Sequence, residues 1–420
     1  MSQPSLFSVL KNLKGNARGL VMTEPLWGIP YNLYMPYASI YMLALGLNDQ
    51  QIGLIASISW GFQVVMALLG GIITDKLGRR NATLIFELFS WSVPALISAL
   101  AQNFWFFLIA GIVNSVWRIV HNSWSCLLVE DTNPDDLVDV YAWIYIAGLV
   151  VAVFTPLAAL LIKTFSLVPA MRGIYFFAAA VFATKAFAAY ALTEETQQGK
   201  VRLRETRGQS LFSFVKEYRQ VASDLLKSTP TLLTMGIMLI LSASGMVNSN
   251  FWGILVTEKL DIQPENLAYF QIVRSIIMIL FFFVVLPRLR RLPFKLPMMI
   301  GFLGLLISEV ILITSPVRGY APLFISVILS ACSYAVVGPR LDQMVVLTVD
   351  AKERARIQSL MFVVIILLTS PFGWISGVLS AQNKILPFIL NICLFSFGIL
   401  LSLLLGTRVA RPAAAEEALP

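Results

Sequence analysis

The chain has 420 residues, of which 58% are apolar and only 13% charged, whereas roughly a quarter of the residues in an ordinary globular protein carry charge. That composition excludes a soluble enzyme, a nucleic-acid binder and a disordered scaffold, and it places the chain in a bilayer. The net charge of +8 fits Lys and Arg collecting on the cytoplasmic loops of a membrane protein. Cys126, Cys332 and Cys393 lie far apart in apolar stretches. They read as buried thiols, with neither a CxxC metal pattern nor a disulfide framework.

A spanning helix needs about 20 apolar residues, and twelve stretches provide them. In chain order, spans 1 to 12 run over residues 20–47, 51–74, 81–101, 104–128, 139–163, 172–192, 230–256, 266–286, 297–315, 320–341, 357–380 and 385–406. Residues 1–19 are an amphipathic tail with Leu6, Val9, Leu10 and Leu13 on one face and Lys11 and Lys14 on the other. The tail either lies on the membrane surface or hangs loose. No cleavable signal peptide is expected, because the first apolar run is too long for one. Residues 193–229 are the longest polar stretch and divide a first bundle, 20–192, from a second, 230–406; residues 407–420 are a cytoplasmic tail. The second part of the central loop carries Leu211, Phe214, Val215, Tyr218, Val221, Ala222 and Leu225 at helical spacing, opposite Lys216, Glu217 and Arg219. An interfacial helix is expected there.

An even number of spans puts both termini on one side. The loops and tails of that side hold 22 Lys and Arg and the opposite loops hold 5, which predicts cytoplasmic termini and a plasma (inner) membrane location. The two halves share a register at an offset of 215 residues: Asn48 to Ile52 against Gln263 to Leu267, and Thr155-Pro156 against Ser370-Pro371. Such an offset is the mark of a transporter built from repeats.

After span 2 the chain reads Gly71, Ile72, Ile73, Thr74, Asp75, Lys76, Leu77, Gly78, Arg79, Arg80. This GxxxDKxGRR run resembles the signature loop of the major facilitator superfamily, at the place in the chain where that family carries it. The resemblance implies an all-α integral membrane protein of twelve transmembrane helices in two six-helix pseudo-repeat halves. It also implies a conformational latch. In the family the acid at the position of Asp75 faces the start of span 11, where free backbone N–H groups favour negative charge. The arginine at the position of Arg79 pairs with an acid at the cytoplasmic end of span 4, where this chain has Glu130 and Asp131. At the +215 positions Asp75 becomes Arg290, Gly78 becomes Pro293 and Arg80 becomes Lys295, so a single latch is expected.

Ionisable groups inside spans are costly and mark function by default. Arg118 lies near the middle of span 4 on a stripe with Asn114, His121 and Ser125, and it resembles the family's RxxQG arginine, with His121 and Asn122 in place of glutamine and glycine. Glu24 on span 1 lies about four residues, roughly 6 Å, from its cytoplasmic end, close to the depth of Arg118. The expectation is a Glu24 that takes up and releases a proton under the control of Arg118, with His121 assisting; a static pair is the alternative. Glu87 and Lys185 are expected as a structural pair or as separate snorkelling groups. Arg274 and Glu309 suggest an outer gate, and Arg340 and Asp342 reach toward the cytoplasm.

Trp27, Tyr31, Tyr34, Ala38 and Tyr41 recur at helical spacing on span 1, with Pro25, Pro30 and Pro36 able to bend it. With Asn32, Asn114, Asn248, Trp252, Gln271, Ser330 and Tyr334 they form a candidate cavity of aromatic, hydroxyl and amide character. Such a lining suits an amphipathic or weakly polar small molecule; the alternative is ordinary helix packing. Span 5 holds Thr155, Pro156, Leu157, Ala158, Ala159 where antiporters of the family carry GPxxGG. Ser57 with Gly61 and Gly373 with Gly377 offer small-residue faces on spans 2 and 11.

The reading is a secondary transporter working by rocker-switch alternating access, with proton antiport and efflux first. A symporter or facilitator importing a neutral nutrient comes next, and a lipid flippase or transport-dead sensor third. The expected partners are the substrate, protons and membrane lipids, without nucleic acid, for a monomer. No cofactor or metal is expected, and one histidine without an acid or thiol cluster leaves no enzyme site. No GxxxxGK[ST] loop for ATP appears.

Overall fold

The computed structural model describes residues 13–132, 140–141, 143–144, 147–148, 151–206, 228–284, 295–347 and 354–409. Among them the chain is helical nearly throughout and contains no strand. Nine helices of the described residues are long and apolar enough to cross a membrane, those of spans 2, 3, 4, 6, 7, 9, 10, 11 and 12. Large apolar side chains stay exposed along these helices, Trp105 and Leu400 among them. Lipid is the solvent that such a surface requires, and helices are the form in which it can be crossed.

Local sequence explains where the helices start, bend and stop. Asn48 and Gln51 form a reciprocal capping box at the head of the helix Asp49–Leu77. Gly78, at φ +82°, ends it in a conformation that a Cβ would strain. Span 1 is not the single helix expected. It comprises Gly15–Tyr34, a tight turn over Met35–Tyr37 and a short helix Ala38–Ala44, because Pro36 has no N–H to continue the ladder. Span 3 contains a π-turn over Leu88–Ser92. The π-turn leaves Ser90 O free to accept from Asn114 Nδ2 at 2.6 Å. Span 4 breaks into Phe104–Asn114 and Trp117–Val129. Of span 5, residues 155–165 form the helix Thr155–Phe165, opened by Pro156 in its first turn.

Two compact units divide the chain, residues 1–51, 55–213 and 264–268 in the first and 52–54, 214–263 and 269–420 in the second. In the first unit the helix Gly15–Tyr34 packs along Leu167–Leu192, so close at Gly19 that an added Cβ would lie 2.7 Å from Leu192 O. Leu20, Tyr37, Tyr41, Ile119 and Phe182 are buried there. In the second unit Lys295–Thr314 packs against Tyr320–Leu347 and Leu386–Val409. Gly301 and Gly304 admit Val337 and Ser333 of span 10 at distances no Cβ would allow, and Phe302 packs on Phe395 with ring centroids 6.3 Å apart.

The amphipathic residues 1–12, the expected interfacial stretch 207–227 and residues 410–420 lie outside the described residues. The first part of the central loop, for which no element was named from the sequence, forms the helix Gln197–Glu205.

Candidate functional site

The loop after span 2 is the centre of a polar network on the first unit. Arg79 is 4% exposed. Its Nη1 donates to Asp75 Oδ1 at 2.8 Å and its Nη2 to Glu130 Oε1 at 3.1 Å, while its Nε reaches both Glu130 oxygens at 3.2 Å. A buried guanidinium is stable only when flanked in this way, because its planar fork presents donors to two carboxylates at once. Of the two acids at the end of span 4, Glu130 therefore faces Arg79. Asp131 accepts instead from the Gln197 N–H at 3.4 Å.

The residues that complete the network come from the far side of span 6 and were not singled out in the sequence. The Glu195 carboxylate accepts the Arg79 N–H at 3.0 Å and the Arg80 N–H at 3.1 Å. It thus supplies the negative charge that the start of span 3 favours. Thr196 donates to Glu130 and caps the helix Gln197–Glu205 by accepting from the Gly199 N–H. Thr206 Oγ1 donates to Asp75 O at 3.2 Å. Arg80 donates to Tyr190 O at 2.8 Å and lies over the Tyr190 ring at 3.8 Å. Asn16 exchanges two hydrogen bonds with the backbone of Glu194. Gly71 lies against Asn122 of span 4, Lys76 is half-buried, and Gly78 is the one motif residue whose backbone requires glycine. The residues that lead into span 11, where the family's acid finds its partner, lie outside the described residues.

Deeper in the first unit the charges pair differently from the expectation. Arg118 donates from Nε to Gln63 Oε1 at 3.0 Å and lies over the Trp117 ring at 4.0 Å. No carboxylate of the described residues lies within ion-pair distance of it. Glu24 lies instead under the influence of Lys185 and Glu87, which form a buried ion pair between spans 6 and 3. Similar depth along two helices did not place Glu24 and Arg118 face to face, because depth says nothing about the direction in which a side chain points around its helix. The stripe on span 4 also divides. The break at Ser115 and Val116 leaves Asn114 on Ser90 O, Arg118 on Gln63, and His121 exposed beside Trp117.

The aromatic residues of span 1 pack inside the first unit. Tyr31 stacks on Trp27 at 4.7 Å and meets Trp91 edge-on, while Tyr34 lies 4.9 Å from Tyr175. Asn32 donates to its own helix at Gly28 O. In the second unit Trp252 packs edge-on against Phe270, Ser330 donates to Val327 O, and Gln271 is half-buried. Asn248 donates to Glu309 at 3.3 Å, and the Tyr334 hydroxyl lies 3.3 Å from Ser244 Oγ with Arg274 5.8 Å from its ring. Among the described residues no group of His, Cys, Asp and Glu could hold a metal ion.

The family model described as Major Facilitator Superfamily matches residues 27–365. A curated relative, an uncharacterized MFS-type transporter YqjV of Bacillus subtilis (strain 168), is 27% identical over 105 residues, 25% of this chain and 25% of its own. The match thus spans a quarter of that relative's length. The solved nucleoside transporter NupG superposes with a TM-score of 0.71 at 15% identity, over 93% of this chain and 98% of its own. An inward-facing, unoccupied bacterial homolog of the human lysosomal transporter Spinster gives 0.69 at 13% identity, over 97% of this chain and 98% of its own. A peptide transporter POT variant gives 0.67 at 14% identity, over 98% and 99%. At these identities the likeness is one of fold.

Proposed function

This chain belongs to the Major Facilitator Superfamily and is a membrane transporter of that type, and from that premise we propose that it couples movement of a small amphipathic or weakly polar solute to protons, by antiport. The observation that carries the reading is the group of Glu24, Glu87 and Lys185, two carboxyls with one ammonium. Glu87 and Lys185 form the ion pair, and Glu24 makes no hydrogen bond or ion pair of its own among the described residues. With all three ionised the group carries one excess negative charge away from bulk water, which a single proton neutralises. Glu24 is the member free to take that proton without breaking the pair. It rides on a helix that carries Pro25 and Pro30 in its interior, where the backbone ladder is weakened, so a bend there alters the distance to Lys185. Lys185, rather than Arg118, is then the cation that acts on the Glu24 carboxyl. Arg118, half-buried with a neutral amide and an indole as partners, is left to attract an anionic or electron-rich part of the substrate.

In this reading the two halves rock about a central site and the Asp75 latch forms and breaks with each cycle. The Arg79 network supports a latch of this kind, because Asp75 is held by Arg79 through a partly exposed contact while Glu130 and Glu195 keep the arginine and its helix in place. The protein works as a monomer in the plasma (inner) membrane with both termini cytoplasmic. Proteoliposomes loaded with a pH dye and challenged with lipophilic cations, nucleosides, sugars and amino acids test the proposal. Compound-triggered proton movement that Glu24→Gln abolishes is the expected result; solute flux without proton movement, equal in both proteins, would leave a facilitator.

A further inference from the structure

The second unit holds a carboxyl that the coupling scheme above does not use. Glu309, on the helix Lys295–Thr314, is 5% exposed. Its Oε1 accepts from Asn391 Nδ2 of span 12 at 3.0 Å and from Asn248 Nδ2 of span 7 at 3.3 Å. Among the described residues its Oε2 is buried without a hydrogen-bond partner, and the same is true of Asn391 Oδ1, the other end of the amide already bonded to Glu309. Two acceptors on one bonded pair of groups therefore lack a hydrogen. Buried acceptors are rarely left so.

The groups around it do not supply a counter-charge. No basic side chain of the described residues lies within 4.0 Å of Glu309. From span 8, Arg274 is directed to the Tyr334 ring at 5.8 Å. From span 10, the Tyr334 hydroxyl contacts Ser244 and faces Asn248 and Glu309 as a phenol without positive charge, and Arg340 lies fourteen residues beyond Ser326, the residue that bonds Ser308 O; that is about 21 Å along the helix. Lys259 gives its ammonium to Ile313 O at 2.7 Å. The described part of span 12 offers Cys393, which is exposed, and the helix Thr229–Ile254 of span 7 has no titratable residue.

We infer that Glu309 is a proton-binding site, in which a proton on Oε2 is donated to Asn391 Oδ1 and closes a two-bond acid–amide ring between spans 9 and 12. The bond formed is Oε2–H and the bond broken is an O–H of a hydronium ion, which is left as neutral water; no other group of the protein changes charge. One hydrogen satisfies both empty acceptors, whereas an ionised carboxylate would leave a buried charge with two neutral donors and no cation. Loss of the proton turns Oε2 and Oδ1 into two facing acceptors, so release requires Asn391 to part from Glu309. The charge state of Glu309 is thereby tied to the packing of spans 7, 9 and 12. The inference is independent of Glu24 and stands on contacts within the second unit alone.

Infrared difference spectra of the purified full chain in lipid nanodiscs, recorded between neutral and alkaline pH, read this directly without any transport. The expected result is a carboxylic C=O band at neutral pH that Glu309→Gln removes and Glu24→Gln leaves in place. Asn391→Leu is the second variant. It keeps the carboxyl but removes its main donor and its acceptor, and should shift the band to higher frequency. A neutral-pH spectrum without the band, a band that survives Glu309→Gln, or one that Asn391→Leu does not move would overturn the inference.

Discussion

Replacing Lys185 by Met should be the most damaging single change in the first unit, and its asymmetry with Glu87→Leu tests the charge group on which the coupling scheme rests. The side chains of Lys185 and Glu87 are 4% and 2% exposed. Removing one partner of a buried pair typically costs about 3–5 kcal/mol, because the other charge is stranded, whereas replacing both by apolar groups is close to neutral. Glu24 makes the two single changes unequal. Lys185→Met strands two carboxyls, Glu87 and Glu24, and should cost the upper end of that range. Glu87→Leu leaves Lys185 with Glu24 as a remaining acid and should cost less, by about 1–2 kcal/mol on the scale of a buried charge-assisted contact. The double variant Lys185→Met with Glu87→Leu should regain most of the loss, and the coupling energy of the cycle reports the pair. Denaturant unfolding in detergent, followed by helical circular dichroism, measures all four proteins. Equal costs for the two single variants would remove Glu24 from the group, and a double variant as unstable as Lys185→Met would show that packing, not charge, holds the site.

Other consequences concern the loop network. Gly78→Ala forces a side chain into a backbone region, φ +82° and ψ +156°, that is essentially open to glycine alone, a cost of about 1–3 kcal/mol. It also displaces the Glu195 carboxylate from the N–H groups of Arg79 and Arg80, so the thermal midpoint of the detergent-solubilised protein should fall further than in Glu195→Gln; a fall no larger would refute the close approach. Asp75→Asn removes a contact that is 24% exposed on the Asp75 side from a buried guanidinium that keeps Glu130, at a cost of about 1 kcal/mol. It should leave the thermal midpoint nearly unchanged while transport falls, and transport at the native rate would count against the latch.

Much of the architecture can be read from the chain because apolar length is imposed by the bilayer, so the helices of spans 2, 3, 4, 6, 7, 9, 10, 11 and 12 appear where hydropathy puts them. The Arg79 loop is similarly legible, since its spacing is a local property and Glu130 lies at the end of the helix that faces it. Interhelical direction is not local. Depth alone matches Glu24 to Arg118, yet the charges that act on it are on spans 3 and 6. Backbone breaks were partly legible: Pro36 announces the interruption of span 1, whereas nothing at Ser115 and Val116 announces the one in span 4. Glu195 and Thr196 sit in a polar loop without periodicity, and only the neighbouring T-E-E-T run, with its capping chemistry, hints at a helix start. Glu309 stood out as an acid in a span, but its meaning depends on Asn391, 82 residues away.

The central claim is that Glu24 carries the coupled proton. The most direct measurement compares two modes of transport in proteoliposomes containing the native protein or Glu24→Gln, with a solute that moves protons in the native protein. The account predicts that Glu24→Gln loses accumulation driven by a pH gradient but keeps exchange of labelled for unlabelled solute, since exchange needs the conformational change and not the proton. Accumulation that persists in Glu24→Gln, with native dependence on the pH gradient, would contradict it.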